Sequence, residues 1–219
     1  MPTRRDLLAS LSAAAAGALA GCAGGDGDSG DSGDGGGDGG PPTPTEGGTG
    51  TPATGPGAGT PAFGEPTLVS SAFEAGEPIP AAYTCSGAGR SPPLSVSGVP
   101  TGAETLALVM DDPDAGARPY VHWLVWDVPA DRTEWPAGIP DGERVEALGG
   151  AAQGTNSRGT VGYVGPCPPP ADGAHTYRFT LYAMGSSLGL DPGAERSAVE
   201  SAIAGTEYGV TTLAGTYDR

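Results

Sequence analysis

Apolar and polar positions alternate in short bursts along residues 63–219, and glycine- and proline-rich stretches separate the bursts. Four runs have the period-two or continuous apolar character of strands: Thr67–Phe73, Thr105–Met110, Tyr120–Val128 and Thr176–Met184. In "PYVHWLVWDV" alternation puts His122, Leu124 and Trp126 on one face and Val121, Trp123 and Val125 on the other. Trp123 and Trp126 are therefore expected in core positions on opposite faces. In "AHTYRFTLYAM" the residues His175, Tyr177, Phe179 and Leu181 share a face. One helix is signalled: Asp191 can cap it, Pro192 suits its first position, and Ala198, Val199, Ala202 and Ile203 form an apolar stripe before Gly205. There is no internal repeat. The pattern predicts a β-rich domain with long loops and a late helix.

Ahead of this domain the pattern changes twice. Residues 1–22 read as an export signal: Arg4 and Arg5 resemble a twin-arginine pair, and an alanine-rich apolar stretch runs from Leu7 to Ala20. That stretch is too short to span a bilayer comfortably. It ends in "LAGC", which resembles a lipobox with Cys22 as the lipidated residue, or else an ordinary cleaved signal with a stray cysteine. Residues 23–62 pass from Gly/Asp-rich to Thr/Pro-rich sequence and hold too little apolar surface to offset the entropy of ordering. They are expected to act as a disordered tether.

Composition narrows the function classes. The formal charge is −16, and all ten basic residues are arginine. Such a lysine-free acidic chain resembles the proteome of an extreme halophile, where charge keeps a protein solvated in screening salt. Nucleic acid is excluded as a partner, because phosphate neutralisation needs a clustered basic patch.

Only two histidines occur, so their settings are informative. The run ending at Met110 leads into Asp112-Pro113-Asp114, a rigid turn that presents two carboxylates at a strand end. Asp111 is expected to be a solvated or turn residue. A second rigid loop, "GYVGPCPPPADGAH", delivers His175. Its "PCPPP" run is expected to shape that loop rather than to serve as a polyproline ligand. A hydrolase finds little support: no G-x-S-x-G elbow is present, and "TNSRG" has Thr155 where the first glycine belongs. The short ligand spacings of zinc motifs are missing, so neither metal nor cofactor is expected.

Taken together, "YTCSGAGRSPPLSVSGVP", the Asp-Pro-Asp and His-Trp elements, "GYVGPCPPP" with its following histidine, and the ending "LAGTYDR" resemble the phosphatidylethanolamine-binding proteins. The resemblance is specifically to the prokaryotic branch, often described as Raf-kinase-inhibitor-like. The resemblance implies a mainly β fold: a phosphatidylethanolamine-binding-protein-like β-sandwich with long loops and a C-terminal helix. It also implies a small anion pocket made by Asp112, Asp114, His122, Gly165, Pro166, His175 and Tyr177. Imidazole N–H groups and the tyrosine hydroxyl would donate to a phosphate, with His122 backed by the acidic turn. The chain departs from the family at Gly116, Val96 and Thr206, where proline, tryptophan and histidine are common.

The expected function is therefore that of an exported, lipid-anchored binding protein, not an enzyme, on the extracellular face of the cell membrane. Its partners would be a small anion or phospholipid headgroup, and the membrane through the lipid anchor. The other reading, also from the resemblance, is a protein-interaction regulator of the kinase- or protease-inhibitor type with a vestigial pocket, although no motif specifies its protein partner. With Cys22 lipidated, Cys85 and Cys167 remain as an even pair. They are either bridged in an oxidising exterior or inherited and reduced.

Overall fold

The structure, a computed structural model, describes residues 64–219. The export signal, Cys22 and the tether lie outside the described residues. Among the described residues, nine strands form two antiparallel sheets, accompanied by one α-helix. The longest strands are β3 (Thr105–Asp112), β4 (Tyr120–Pro129), β8 (His175–Met184) and β9 (Glu207–Tyr217). With β6 (Arg144–Val145) and β7 (Ala151–Gln153) they form a six-stranded sheet in the order β6-β7-β4-β3-β8-β9. The smaller sheet joins β1 (Thr67–Val69), β2 (Leu94–Ser97) and β5 (Glu134–Trp135) in the order β1-β2-β5.

The centre of the large sheet, β3 and β4, is buried on both faces, which explains why β3 reads as a nearly continuous apolar run. One face packs Leu106, Leu108, Met110, Trp123 and Phe179 against Leu68, Leu94, Val96 and Trp135 of the small sheet. The other packs Ala107, Val109, Leu124 and Trp126 against Val199 and Ile203 of the helix α1 (Arg196–Ile203). Each of these large side chains contributes about 1.5–3 kcal/mol by leaving water. Trp123 and Trp126 thus occupy opposite cores.

Three elements differ from their sequence-based expectations. The first strand ends at Val69, and Phe73 enters the core from the loop after it. The helix begins at Arg196 with Glu195 as its N-cap, not at Asp191 and Pro192. Gly193 explains the delay: its φ of 84° is left-handed, so no right-handed helix can run through it. Asp191 instead closes a turn, its carbonyl accepting from the Ala194 amide. The helix is also followed by β9, the longest strand, whose Gly- and Thr-rich sequence alternates too weakly to announce itself.

The third difference lies in β4. Met110 pairs with Trp123, yet the next residue, Asp111, pairs with Val121, so His122 is an extra residue in a bulge. The bulge resets the alternation: Val121 joins Leu124 and Trp126 in the helix-side core, and His122 parts from both. A second irregularity between Leu106 and Leu108 falls opposite Trp126 and Asp127, and Asp127 adopts a φ of 58°.

Candidate functional site

Antiparallel pairing brings the end of β3 and the starts of β4 and β8 to one edge of the large sheet. Asp112 is the last residue of β3, Tyr120 and His122 open β4, and His175 and Tyr177 open β8. These five line a cavity of about 350 Å³, closed by Val164, Gly165, Cys167 and Pro168 of the loop before β8. On β8 the residues His175, Tyr177, Phe179 and Leu181 alternate inward as a set, so the cavity continues the inter-sheet core outward.

The acidic turn backs the other histidine. Asp112 Oδ2 accepts from His175 Nδ1 at 2.8 Å, with both side chains buried. Asp112 Oδ1 accepts the Asp114 amide at 2.8 Å, which closes the turn on itself. His122 is held by backbone instead: its Nδ1 donates to the Val164 carbonyl at 2.7 Å, and the Val164 amide donates back to the His122 carbonyl. The expected pairing of His122 with the acidic turn is therefore replaced by this two-way clasp, because the bulge turns His122 toward the loop.

With Nδ1–H engaged, neutral His122 carries its lone pair on Nε2 and accepts a hydrogen bond there. Burial lowers the His122 pKa below its ordinary value. The Val164 bond and the Asp112 and Asp111 charges oppose that shift, and Arg158 adds to it. The Tyr177 ring meets His122 edge-on at 5.1 Å. Its hydroxyl is buried and makes no hydrogen bond of good geometry. Burial, and then the neighbouring Asp112, push the Tyr177 pKa upward.

Two sequence-expected residues stand apart from the cavity lining. Asp114 uses its carboxylate to accept the Thr176 amide at 2.8 Å, which ties the turn to β8. Pro166 accepts the Cys85 amide through its carbonyl at 3.0 Å, while Gly165 and Cys167 on either side face the cavity. Gly165 has to be glycine on grounds of space, since a Cβ there would lie 2.9 Å from the Tyr83 carbonyl oxygen. Cys85 and Cys167 are joined in a disulfide with Cα atoms 5.4 Å apart, so the loop is stapled behind the cavity wall. The Pro168 carbonyl accepts from Arg219 at 2.8 Å, so the proline run shapes a loop that the chain terminus holds.

Three residues escape sequence reasoning. Asp111, expected in solvent, is 3 % exposed and takes a bidentate pair from Arg178 at 2.9 and 2.8 Å plus Arg196 at 2.9 Å. It sits on the helix-side face of β3, opposite to Asp112, as strand alternation requires. Arg158 lines the cavity from the "TNSRG" loop, and its exposed guanidinium has no partner among the described residues. Asp172 lines the cavity from the other side, 3.9 Å from His175 Nε2. Both lie on loops, where side-chain direction has no period to follow. No group of three or more His, Cys, Asp or Glu residues able to hold a metal occurs among the described residues.

The sequence model of the phosphatidylethanolamine-binding protein family matches residues 69–218. A UPF0098 protein of Methanothermobacter thermautotrophicus is 44% identical over 152 residues, covering 69% of this chain and 98% of that protein. LppC of Mycobacterium tuberculosis, which carries a lipoprotein name, is 43% identical over 156 residues, covering 69% of this chain and 72% of that protein. Among solved structures, Escherichia coli YbcL, described as a member of the mammalian PEBP family, superposes with a TM-score of 0.65 at 27% identity. It is covered over 99% of its length and covers 71% of this chain. A Chlamydia trachomatis PEBP homologue gives a TM-score of 0.64 at 35% identity, with 98% of that chain and 71% of this one covered.

Proposed function

The chain belongs to the phosphatidylethanolamine-binding protein family, and from that premise we propose that its cavity binds a small anionic or phosphorylated ligand of the headgroup type. The observation that carries this reading is the convergence of both histidines on one small cavity, each ring fixed through Nδ1. Fixing Nδ1 turns the Nε2 edge of His122 to a ligand, while His175 Nε2 lies 3.9 Å from Asp172. His122 Nε2 has no partner among the described residues and can accept from the P–OH of a phosphate monoanion or from an ammonium. The backbone clasp and the disulfide hold this geometry in advance, which limits the ordering cost of binding.

The cavity lining has no serine or threonine, and its one cysteine, Cys167, is tied up in the disulfide. In this reading the protein is exported and anchored at the outer membrane face through Cys22, and the lipoprotein name of one relative supports the anchor.

The test is a calorimetric titration of the protein with inorganic phosphate and with phosphoethanolamine. Two variants separate the cavity from the rest of the surface. Ala115→Trp places a bulky ring at an exposed lining position, and His122→Phe keeps the ring but removes its nitrogens. The expected result is saturable binding of at least one ligand, weakened about tenfold or more by either variant, as for loss of a charge-assisted hydrogen bond. Absence of binding at millimolar ligand would overturn the reading. So would full affinity in both variants.

A further inference from the structure

Two of the three cysteines, Cys85 and Cys167, form the bridge beside the cavity. Cysteine is among the most often buried residue types, yet both partners of this bridge are exposed. The exposure is selective, because Pro166 and Pro168 on either side of Cys167 are buried. Cys167 lines the cavity, whereas Cys85 stands outside its lining. One end of the bridge therefore belongs to the cavity wall and the other to the outer surface.

Cutting the bridge would leave its two ends together. The Cys85 amide donates to the Pro166 carbonyl at 3.0 Å, and the Tyr163 hydroxyl donates to the Tyr83 carbonyl at 2.7 Å. The Val164 amide holds the His122 carbonyl at 2.9 Å, and Arg219 holds the Pro168 carbonyl at 2.8 Å. These bonds keep the loop and the turn after Tyr83 in place without the covalent link. The two sulfurs stay neighbours, so the bridge can close again.

We infer that Cys167 is a reversible capture site for a low-molecular-weight thiol that enters the cavity. The thiol loses its proton to water, and its thiolate attacks Cys167 Sγ in line with the bridge. A new S–S bond to Cys167 forms, the Cys85–Cys167 bond breaks, and Cys85 leaves as a thiolate that takes up a proton. One disulfide replaces another, so the step needs no further oxidant or reductant. Attack in this direction puts the adduct inside the cavity of about 350 Å³ and the leaving group outside it. The captured thiol then fills part of the cavity and competes with any other occupant. Cys85, tied to Pro166 through its amide, attacks the adduct in turn and restores the bridge once free thiol is removed. Capture does not require the anion binding proposed above.

The test incubates the bridged, unaltered protein with millimolar mercaptoethanol and traps free thiols with iodoacetamide as they form. Intact mass and peptide mapping report where the adduct and the alkyl group sit. The expected product carries mercaptoethanol on Cys167 and the alkyl group on Cys85. Ala115→Trp, the bulky variant at the lining, should lower the yield at Cys167 severalfold. Urea below the unfolding transition should leave the capture rate flat, since attack on the folded protein needs no global opening. Without iodoacetamide, removal of the thiol should return the protein to its bridged mass. Adduct on Cys85, an even split between the two cysteines, or a bridge that stays intact in the folded protein would overturn the inference. So would a rate that climbs with urea, an unchanged yield in Ala115→Trp, or an adduct that persists after the thiol is removed. These readouts follow the covalent bridge alone, so a failed phosphate titration leaves capture standing, and failed capture leaves the anion cavity in place.

Discussion

His122 shows how one residue's backbone setting fixes its chemistry. Burial lowers its pKa, so the folded protein binds a proton at this site less readily than the unfolded chain, whose histidine titrates near 6.5. Between the lowered value and about 6.5 the unfolded state therefore holds more protons, and stability rises with pH. The contribution is complete above about pH 6.5 and is lost as the pH falls toward the folded value. We expect urea unfolding at pH 7.5, 6.5 and 5.5 to show a decline on acidification that is shallower in His122→Phe. Parallel profiles for the two proteins would show that this imidazole is not held neutral. Sequence alternation was enough to place His175 and Tyr177 on one inward face, because β8 pairs without interruption through that stretch. The same rule misplaced His122 relative to Leu124 and Trp126, since a bulge is a property of two paired strands and leaves no mark in one of them. Asp111 was misread for a related reason: beside a turn it looks solvated, and only the approach of Arg178 and Arg196 makes its burial affordable.

At the scale of elements, the loop that walls the cavity is fixed at several points. Tyr163 donates its hydroxyl to the Tyr83 carbonyl at 2.7 Å, Val164 clasps His122, and the Cys85–Cys167 bridge joins the loop to the short 3-10 turn Ala81–Tyr83 and the residues after it. The bridge spans 82 residues of sequence, so it removes much of the freedom of the unfolded chain. Replacing both cysteines by serine should cost about 2–4 kcal/mol, below the chain-entropy limit of roughly 4.5 kcal/mol for a loop this long. Chemical denaturation of the double variant, and of the unaltered protein with and without reductant, measures it. Equal midpoints in all three would mean that the noncovalent clasps alone define the loop. The apolar runs of β3, β4 and β8 announced the central sheet, whereas β2, β5, β6 and β7 are too short for a period to register. The helix was legible by its stripe but not by its start, because its beginning depends on the left-handed Gly193 and not on the capping chemistry of Asp191.

For the whole molecule the question is what would hold such a domain at a membrane. No helix among the described residues is long and apolar enough to cross one. The chain carries a formal charge of −16, which repels anionic lipid surfaces and offers no basic patch for electrostatic attachment. The stretch from Leu7 to Ala20 is shorter than the roughly 20 apolar residues a spanning helix needs. Attachment in the proposed reading then rests on Cys22. A covalent lipid contributes about 0.8 kcal/mol for each methylene it buries, so stable retention takes more than one acyl chain or a second membrane contact. Cys22→Ser removes the acceptor without touching residues 64–219, so the cavity should keep its ligand affinity. The expected outcome is transfer of the protein from the membrane pellet to the soluble exported fraction, with the unaltered protein released from the pellet only by detergent. A Cys22→Ser protein that still sediments with membranes would move the anchor to an uncleaved signal segment. In that case the ligand-binding domain would hang from a peptide and not from a lipid.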